Sequence, residues 1–246
     1  MSGIYATVGG GWQNTASGSN ATVGGGYSNT VSGNGATVGG GVLNTAAGDY
    51  SFVVGRRAKN ANAAHDGVFL FADSSNFDFA STAANQFRVR ATGGVTFVLA
   101  IDAGGNPTWT CSVVNGGSWA CSSDRNLKEN LAHVDGTKVL AQLSSVPIYT
   151  WSAKGGDPAV RHIGPMAQDF YAAFGLGNDD KTISTIDLDG VALAAIQGLY
   201  QIAQEKEAEI AKLKAENAAL KAEVVAFGAR LAAIEQALRV QQGVKP

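Results

Sequence analysis

The chain is short of charge, cysteine, proline and methionine. Charged residues make up only 15% of its 246 positions, and the formal net charge is −2. Such a balance offers no electrostatic handle for nucleic acid or for an anionic membrane surface. No apolar run approaches ~18 residues, so a membrane-inserted helix is excluded. The opening residues, Met1-Ser2-Gly3-Ile4-Tyr5, show neither a basic nor an apolar leader segment, and no secretory signal is visible. Two cysteines, Cys111 and Cys121, are too few for a disulfide scaffold or a four-ligand zinc site. No His/Cys/Asp cluster supports a transition-metal centre, so neither a metal nor another cofactor is expected. Glycine is abundant at 32 residues, yet falls well short of the one in three that collagen needs.

What the chain does hold is a repeat. Residues 1–55 contain no Lys, Arg or Pro and a single acid, Asp49. Ala6-Thr7-Val8-Gly9-Gly10-Gly11 returns as Ala21-Thr22-Val23-Gly24-Gly25-Gly26 and again as Ala36-Thr37-Val38-Gly39-Gly40-Gly41. Asn14-Thr15-Ala16-Ser17-Gly18 returns at Asn29 and Asn44, so the period is 15 residues. A degraded fourth copy starts at Ser51 and turns basic at Arg56-Arg57. Two short β-prone stretches per period, separated by Gly-rich corners, suit a β-solenoid with two strands per rung. Glycine permits such corners because it accepts positive φ. The glycine triplets are not phosphate loops, since neither Lys-Ser/Thr nor a βαβ context follows. One Thr per strand is a thin lattice for binding ice, and the phased Val and Asn positions argue against a flexible linker. Val8, Val23, Val38 and Val53 supply one slender aliphatic column, too little to offset ~1–2 kcal/mol of backbone entropy per residue. Association of several chains would supply the missing burial. The pattern resembles the β-roll heads of trimeric autotransporter adhesins, over about residues 5–57.

Residues 58–122 read as a β-rich stalk or neck. Val68–Phe71, Gln86–Arg90 and Val95–Leu99 have strand character. Asn115-Gly116-Gly117 is a hairpin signal that places Cys111 opposite Cys121. A disulfide is possible there, but with no visible secretion signal, reduced and buried thiols are the expectation.

From about residue 187 the period becomes helical. The 3-4 spacing runs Ile196, Leu199, Ala203, Lys206, Ile210, Leu213, Asn217, Leu220, Val224, Phe227, Leu231, Ile234, Leu238. Six heptads in one register predict a parallel coiled coil, with Asn217 fixing register at some cost in stability. The alternative is a long amphipathic helix folded back on its own domain.

Between these parts lies Ser123-Asp124-Arg125-Asn126-Leu127-Lys128, followed by Tyr149-Thr150-Trp151 and then His162-Ile163-Gly164-Pro165-Met166-Ala167-Gln168. This order closely resembles the endosialidase-type intramolecular chaperone of phage tailspikes and tail fibres, the peptidase S74 family. The myelin regulatory factor has a similar domain. The resemblance spans about residues 123–240. It implies a homotrimerising chaperone that guides folding of the β-rich part and is then released by self-cleavage at the serine. It also implies Ser123 as nucleophile and Lys128 as base, with Asp124, Arg125, His162 and Gln168 as supporting positions.

The residues themselves make chemical sense of this. A serine hydroxyl attacks well only when a base takes its proton. Lysine is a base only when neutral, a form favoured by desolvation or by a neighbouring cation such as Arg125. Five residues along an α-helix set side chains about 140° apart. Ser123 and Lys128 can therefore meet only across a turn or between chains. Taken alone, Ser123 or Asp124 could equally cap a short helix beside a solvated Lys128. Attack by Ser123 on the Ser122 carbonyl passes through a five-membered ring and cuts Ser122–Ser123. Cutting Ser123–Asp124 would need another chain's serine or a water. His65 and His133 have no partner pattern. Asp187-Leu188-Asp189-Gly190 lacks the spacing of a calcium loop. A glycan hydrolase needs paired carboxylates, and residues 1–122 offer five Asp and no Glu.

The expected architecture is thus a multi-part fibrous homotrimer. Residues 1–57 form a β-roll, 58–122 a stalk, 123–190 a small α+β self-cleaving chaperone domain, 191–240 a coiled coil and 241–246 a tail. The expected function is that of a phage or prophage tail-fibre protein, located in the virion and made in the bacterial cytoplasm. Its expected partners are copies of itself, an upstream fibre or baseplate protein, and a host-surface glycan or protein receptor. The chain starts almost inside a repeat, which suits a short fibre or a distal fragment. The rival is a non-proteolytic surface adhesin with a permanent C-terminal trimerisation module.

Overall fold

Each 15-residue repeat closes one turn of a β-solenoid. Thr7–Val8, Thr22–Val23, Thr37–Val42, Phe52–Arg56, Phe69–Ala72 and Phe87–Arg90 stack in parallel as a six-stranded sheet. Thr15–Ala16, Thr30–Val31, Thr45–Ala46, Ala58–Asn60 and Phe79–Ala80 form a five-stranded sheet beside it. The computed structural model describes residues 2–114, 117–241 and 243, so Asn115 and Gly116 of the hairpin signal and most of the 241–246 tail lie outside the described residues. The chain divides into two units, one ending at Glu129 and the other starting at Asn130.

The strand register is the repeat register. Val8, Val23, Val38, Val53 and Leu70 lie one above another, and all but the terminal Val8 are buried. Val31 on the second sheet and a series of alanines complete this narrow core. The ladder does not stop at residue 57. Two further turns continue it to Arg90, giving about six in all, but their spacing stretches as Phe52 pairs with Phe69 and Phe69 with Phe87. Lengthened corners erase the 15-residue signal while the strands still stack. Along this column Thr7, Thr22 and Thr37 give way to stacked Phe52, Phe69 and Phe87, whose ring centroids lie 5.5 and 4.7 Å apart.

Glycine does turn one corner of each repeat, with positive φ at Gly11, Gly26 and Gly41, but other corners are made by non-glycine residues. Positive φ occurs at Tyr5, Asn20 and Tyr50, and each of Asn20 and Tyr50 donates its N–H to a carbonyl of the preceding turn. This bond between turns offsets the αL cost for a non-glycine residue. Gly33 is needed for a different reason. A Cβ there would sit 2.3 Å from the Gly48 carbonyl oxygen of the next turn.

A column of buried asparagines locks the turns together. Asn44 Nδ2 donates to the Gly40 and Gly55 carbonyls at 3.0 and 2.7 Å, and its Oδ1 accepts from Ala58 N at 2.9 Å. Asn29 Oδ1 in turn accepts from Asn44 N at 3.0 Å. Asn44→Ala strips partners from two carbonyls and one N–H in the interior, each costing ~1–3 kcal/mol when left unmade. The expected result is a drop of several °C in solenoid melting or more, read by circular dichroism. An unchanged melting curve would mean the column contributes nothing.

The last turn is closed by polar groups. Arg90 Nε pairs with Asp73 Oδ1 at 2.9 Å, and its other nitrogens reach the Phe77, Ser75 and Arg56 carbonyls. Asp73 Oδ2 accepts from the Thr92 N–H and hydroxyl, both at 2.8 Å. The Thr92 N–H, then the Thr92 hydroxyl, hold the Asp73 carboxyl far below the usual carboxylate range. A depressed folded-state pKa stabilises above the unfolded value of ~4 and is lost as pH falls. Amide exchange at Thr92 should therefore accelerate progressively below about pH 4, beyond its intrinsic pH dependence. In Asp73→Asn it should be fast already at neutral pH and show no such extra acceleration.

Val95–Ile101, Pro107–Val113 and Trp119–Cys121 then make a three-stranded antiparallel sheet. Phe97, Leu99, Ile101 and Trp119 on it are each about half exposed or more. Cys111 pairs directly with Cys121, as the hairpin signal implied. The thiol expectation is corrected here: the two form a disulfide, Cα–Cα 4.0 Å, and neither is buried. The cross-strand register brings the two Cβ atoms together whatever the compartment.

In the second unit, helix α1 (Gly136–Leu143) starts from Asp135. The Asp135 carboxylate accepts from Thr137 N and Lys138 N, and bonds led by the Thr137 hydroxyl lower its pKa. Tyr149–Trp151 and His162–Gly164 pair as a two-stranded sheet. Helix α2 (Ala167–Phe174) buries Phe170 and ends at Gly175 in the αL conformation. Helix α3 (Thr185–Gln241) runs 57 residues. It packs on α1 so tightly that a Cβ on Gly198 would lie 2.2 Å from the Gly136 carbonyl oxygen. Only Val191, Ala195 and Gly198 of α3 are buried. Ile196, Leu199, Ile210, Leu213, Leu220, Val224, Phe227, Leu231, Ile234 and Leu238 are 48–70% exposed in the single chain.

Candidate functional site

The segment after the three-stranded sheet turns sharply. Asp124 Oδ1 accepts from Asn126 N at 2.9 Å and so caps a single 3-10 turn, Arg125–Leu127. Lys128 N donates to the Arg125 carbonyl at 3.1 Å, and Lys128 itself is extended. The chain thereby folds back within five residues. Lys128 Nζ donates to Ser123 Oγ at 2.7 Å. Within the single chain this contact is made across the turn. Asp124 serves as the cap, so the capping alternative and the Ser-Lys pair coexist in one short loop.

Both side chains are exposed in the single chain. Immediately upstream, Ser122 is half-buried and tied to the sheet. Ser122 N donates to the Thr110 carbonyl at 2.8 Å, and Thr110 N donates to Ser122 Oγ at 3.0 Å. Of two adjacent serines, one is therefore held by the strand and the other by a lysine.

Residues 123–175 match the Peptidase_S74 family, the chaperone of endosialidase. The match begins at Ser123 and covers roughly a fifth of the chain. This segment is thus similar to the chaperone of endosialidase, and a β-solenoid precedes it in the chain. No curated protein matches the chain.

The other expected site residues are placed as follows. Arg125 lies in the 3-10 turn, exposed, one residue from the cap. His162 stands opposite Trp151 in the two-stranded sheet, with ring centroids 4.6 Å apart. Gln168 is exposed in the first turn of α2. His162 and Gln168 belong to the unit that starts at Asn130, whereas Ser123, Asp124, Arg125 and Lys128 belong to the unit that ends at Glu129. The heptad residues, Asn217 included, lie on α3 and are exposed. Thr110, which meets Ser122, carries little signal in the sequence. Its only signal was its place opposite Ser122 once Cys111 is set opposite Cys121.

Proposed function

We propose that the protein is a phage or prophage tail-fibre-like homotrimer whose C-terminal chaperone drives assembly and is released by self-cleavage at Ser122–Ser123. The observation that carries this is the 2.7 Å contact between Ser123 Oγ and Lys128 Nζ at the first residue of the chaperone segment. Support for the trimer comes from the bare heptad face of α3 and the exposed apolar residues of the three-stranded sheet. Soluble monomers rarely leave so much contiguous apolar surface in water. Three α3 helices in parallel would cover the first, and three stalk sheets the second.

The chemistry follows from the pair. A protonated ammonium donates to Ser123 Oγ; after losing one proton, Nζ can instead take the hydroxyl proton through the same contact. Oγ then attacks the Ser122 carbonyl carbon. The C–Oγ bond forms and the C–N bond to Ser123 breaks. The electron pair stays on nitrogen, which takes the proton back from Nζ. Water next hydrolyses the ester, leaving a carboxylate on Ser122 and the hydroxyl on Ser123. Packing of chains around an otherwise exposed Lys128 would favour its neutral form, so cutting waits for assembly. Uncut chains would keep the chaperone until it has acted.

The expected setting is a virion fibre, joined to an upstream fibre or baseplate protein, with a host-surface glycan or protein as receptor. The rival, a non-proteolytic trimeric adhesin, predicts a single band. Denaturing electrophoresis of freshly made protein should give two fragments divided at residue 122/123. One full-length band that persists for days at neutral pH favours the adhesin.

A further inference from the structure

The last ladder rung before the Ser-Lys pair is irregular. Cys111 and Cys121 form a directly opposed pair, and Ser112 faces Ala120. The next rung, Thr110 with Ser122, is of the type in which two residues exchange both N–H···O=C bonds. One of those bonds is present, from Ser122 N to the Thr110 carbonyl at 2.8 Å. The other is diverted: Thr110 N donates to the Ser122 hydroxyl at 3.0 Å, and the two hydroxyls lie 3.2 Å apart. Among the described residues, no hydrogen bond reaches the Ser122 carbonyl oxygen. The hydroxyl of Ser122 stands in for its own carbonyl.

We propose that Ser122 is a positioning residue whose hydroxyl occupies Thr110 N–H, thereby releasing the scissile carbonyl from the sheet. The inference rests on the self-cleavage reading above and deepens it. A carbonyl engaged in a ladder is held in the plane of the sheet by its N–H partner. Attack by Ser123 Oγ must turn that planar carbon tetrahedral and swing its oxygen out of the ladder. The serine side chain removes that restraint beforehand, while Ser122 N and the Cys111–Cys121 disulfide keep the acyl side anchored. The same bond also occupies the Ser122 hydroxyl. That ties the Ser122 side chain to the strand, while Lys128 Nζ meets Ser123 Oγ.

A residue lacking the hydroxyl at this position would let Thr110 N–H close the regular ladder on the carbonyl. The test compares Ser122→Thr with Ser122→Val in the full-length chain. Both are β-branched and close in size, so they differ chiefly in the hydroxyl. Cleavage rates are followed by denaturing electrophoresis, and trimer mass by light scattering. Ser122→Thr should cut within about threefold of wild type, and Ser122→Val at least about tenfold more slowly in trimers of normal mass. Thr110→Val keeps the N–H and should stay within about threefold of wild type. Fragment N-termini should be unchanged throughout. Equal rates for the Thr and Val variants, or a faster Val variant, would overturn the proposal while leaving self-cleavage intact. A wild-type chain that does not cut would instead overturn the reading beneath it.

Discussion

Replacing Ile210 and Leu213 together with serine should dissolve the trimer and leave residues 1–122 misfolded. These neighbours in the heptad register are each 49% exposed on the single chain, and both belong to the stripe that the proposed trimer would cover. Burying an Ile or Leu side chain contributes ~1.5–3 kcal/mol, and the double substitution removes two such groups from each of three chains. Loss on that scale exceeds what a marginal assembly can spare. The solenoid should fail with it. Its interior is a narrow file of valines and alanines, with Phe87 and Trp12 largely exposed. Soluble yield and resistance to protease of the β part check this. Protease-resistant β trimers from the doubly substituted chain would show that the C-terminal part is no chaperone.

Ser123→Ala and Lys128→Ala should each give a full-length chain that still assembles. Loss of either partner should slow cutting by a factor on the order of a thousand or more, because members of such a unit act together. Lys128→Arg is the more telling substitution. It keeps the positive charge but cannot give up a proton near neutrality, so it should also remain uncut. A Lys128 that acts only as a surface charge would tolerate arginine. If Lys128→Arg cuts at the wild-type rate, the lysine is not the base. N-terminal sequencing of the released fragment fixes the bond: Ser-Asp-Arg supports the acyl shift from Ser122, and Asp-Arg-Asn supports cleavage after Ser123.

The legible parts of the fold were those with an unbroken period. Thr7, Thr22 and Thr37 align in the ladder as they do in the repeat, and Val23, Val38 and Val53 are the buried column. The fifth and sixth turns escaped notice because Phe52, Phe69 and Phe87 stack at uneven spacing. Corner geometry was legible in part: Gly11, Gly26 and Gly41 take the positive φ that glycine favours, but not every corner is a glycine. Positive φ at Tyr5 and Tyr50 leaves no mark in composition, whereas Gly33 is small because the next turn's backbone passes against it. The Gly136–Gly198 contact between α1 and α3 was hidden likewise, since one glycine in each helix carries no periodic signal.

At the candidate site, Ser123 and Lys128 were legible as a family-like spacing, and helix geometry left a turn or a contact between chains as the ways to join them. The turn itself depends on Asp124 capping Asn126, a local bond that the Asp-x-Asn spacing permits but does not compel. The disulfide is set by the direct opposition of Cys111 and Cys121 in the hairpin, which cysteine count and the lack of a visible leader do not reveal. Ser122 was read only as the residue cut from Ser123. Its diverted bond to Thr110 depends on where one strand ends, which a sequence does not specify to the residue.

The central claim is that this chain is one third of an assembly that hides its heptad face and stalk sheet. Light scattering of the Ser123→Ala protein tests it most directly, because the uncut chain retains the whole coiled coil. Three times the chain mass is the predicted result. A monomer at micromolar concentration would contradict it.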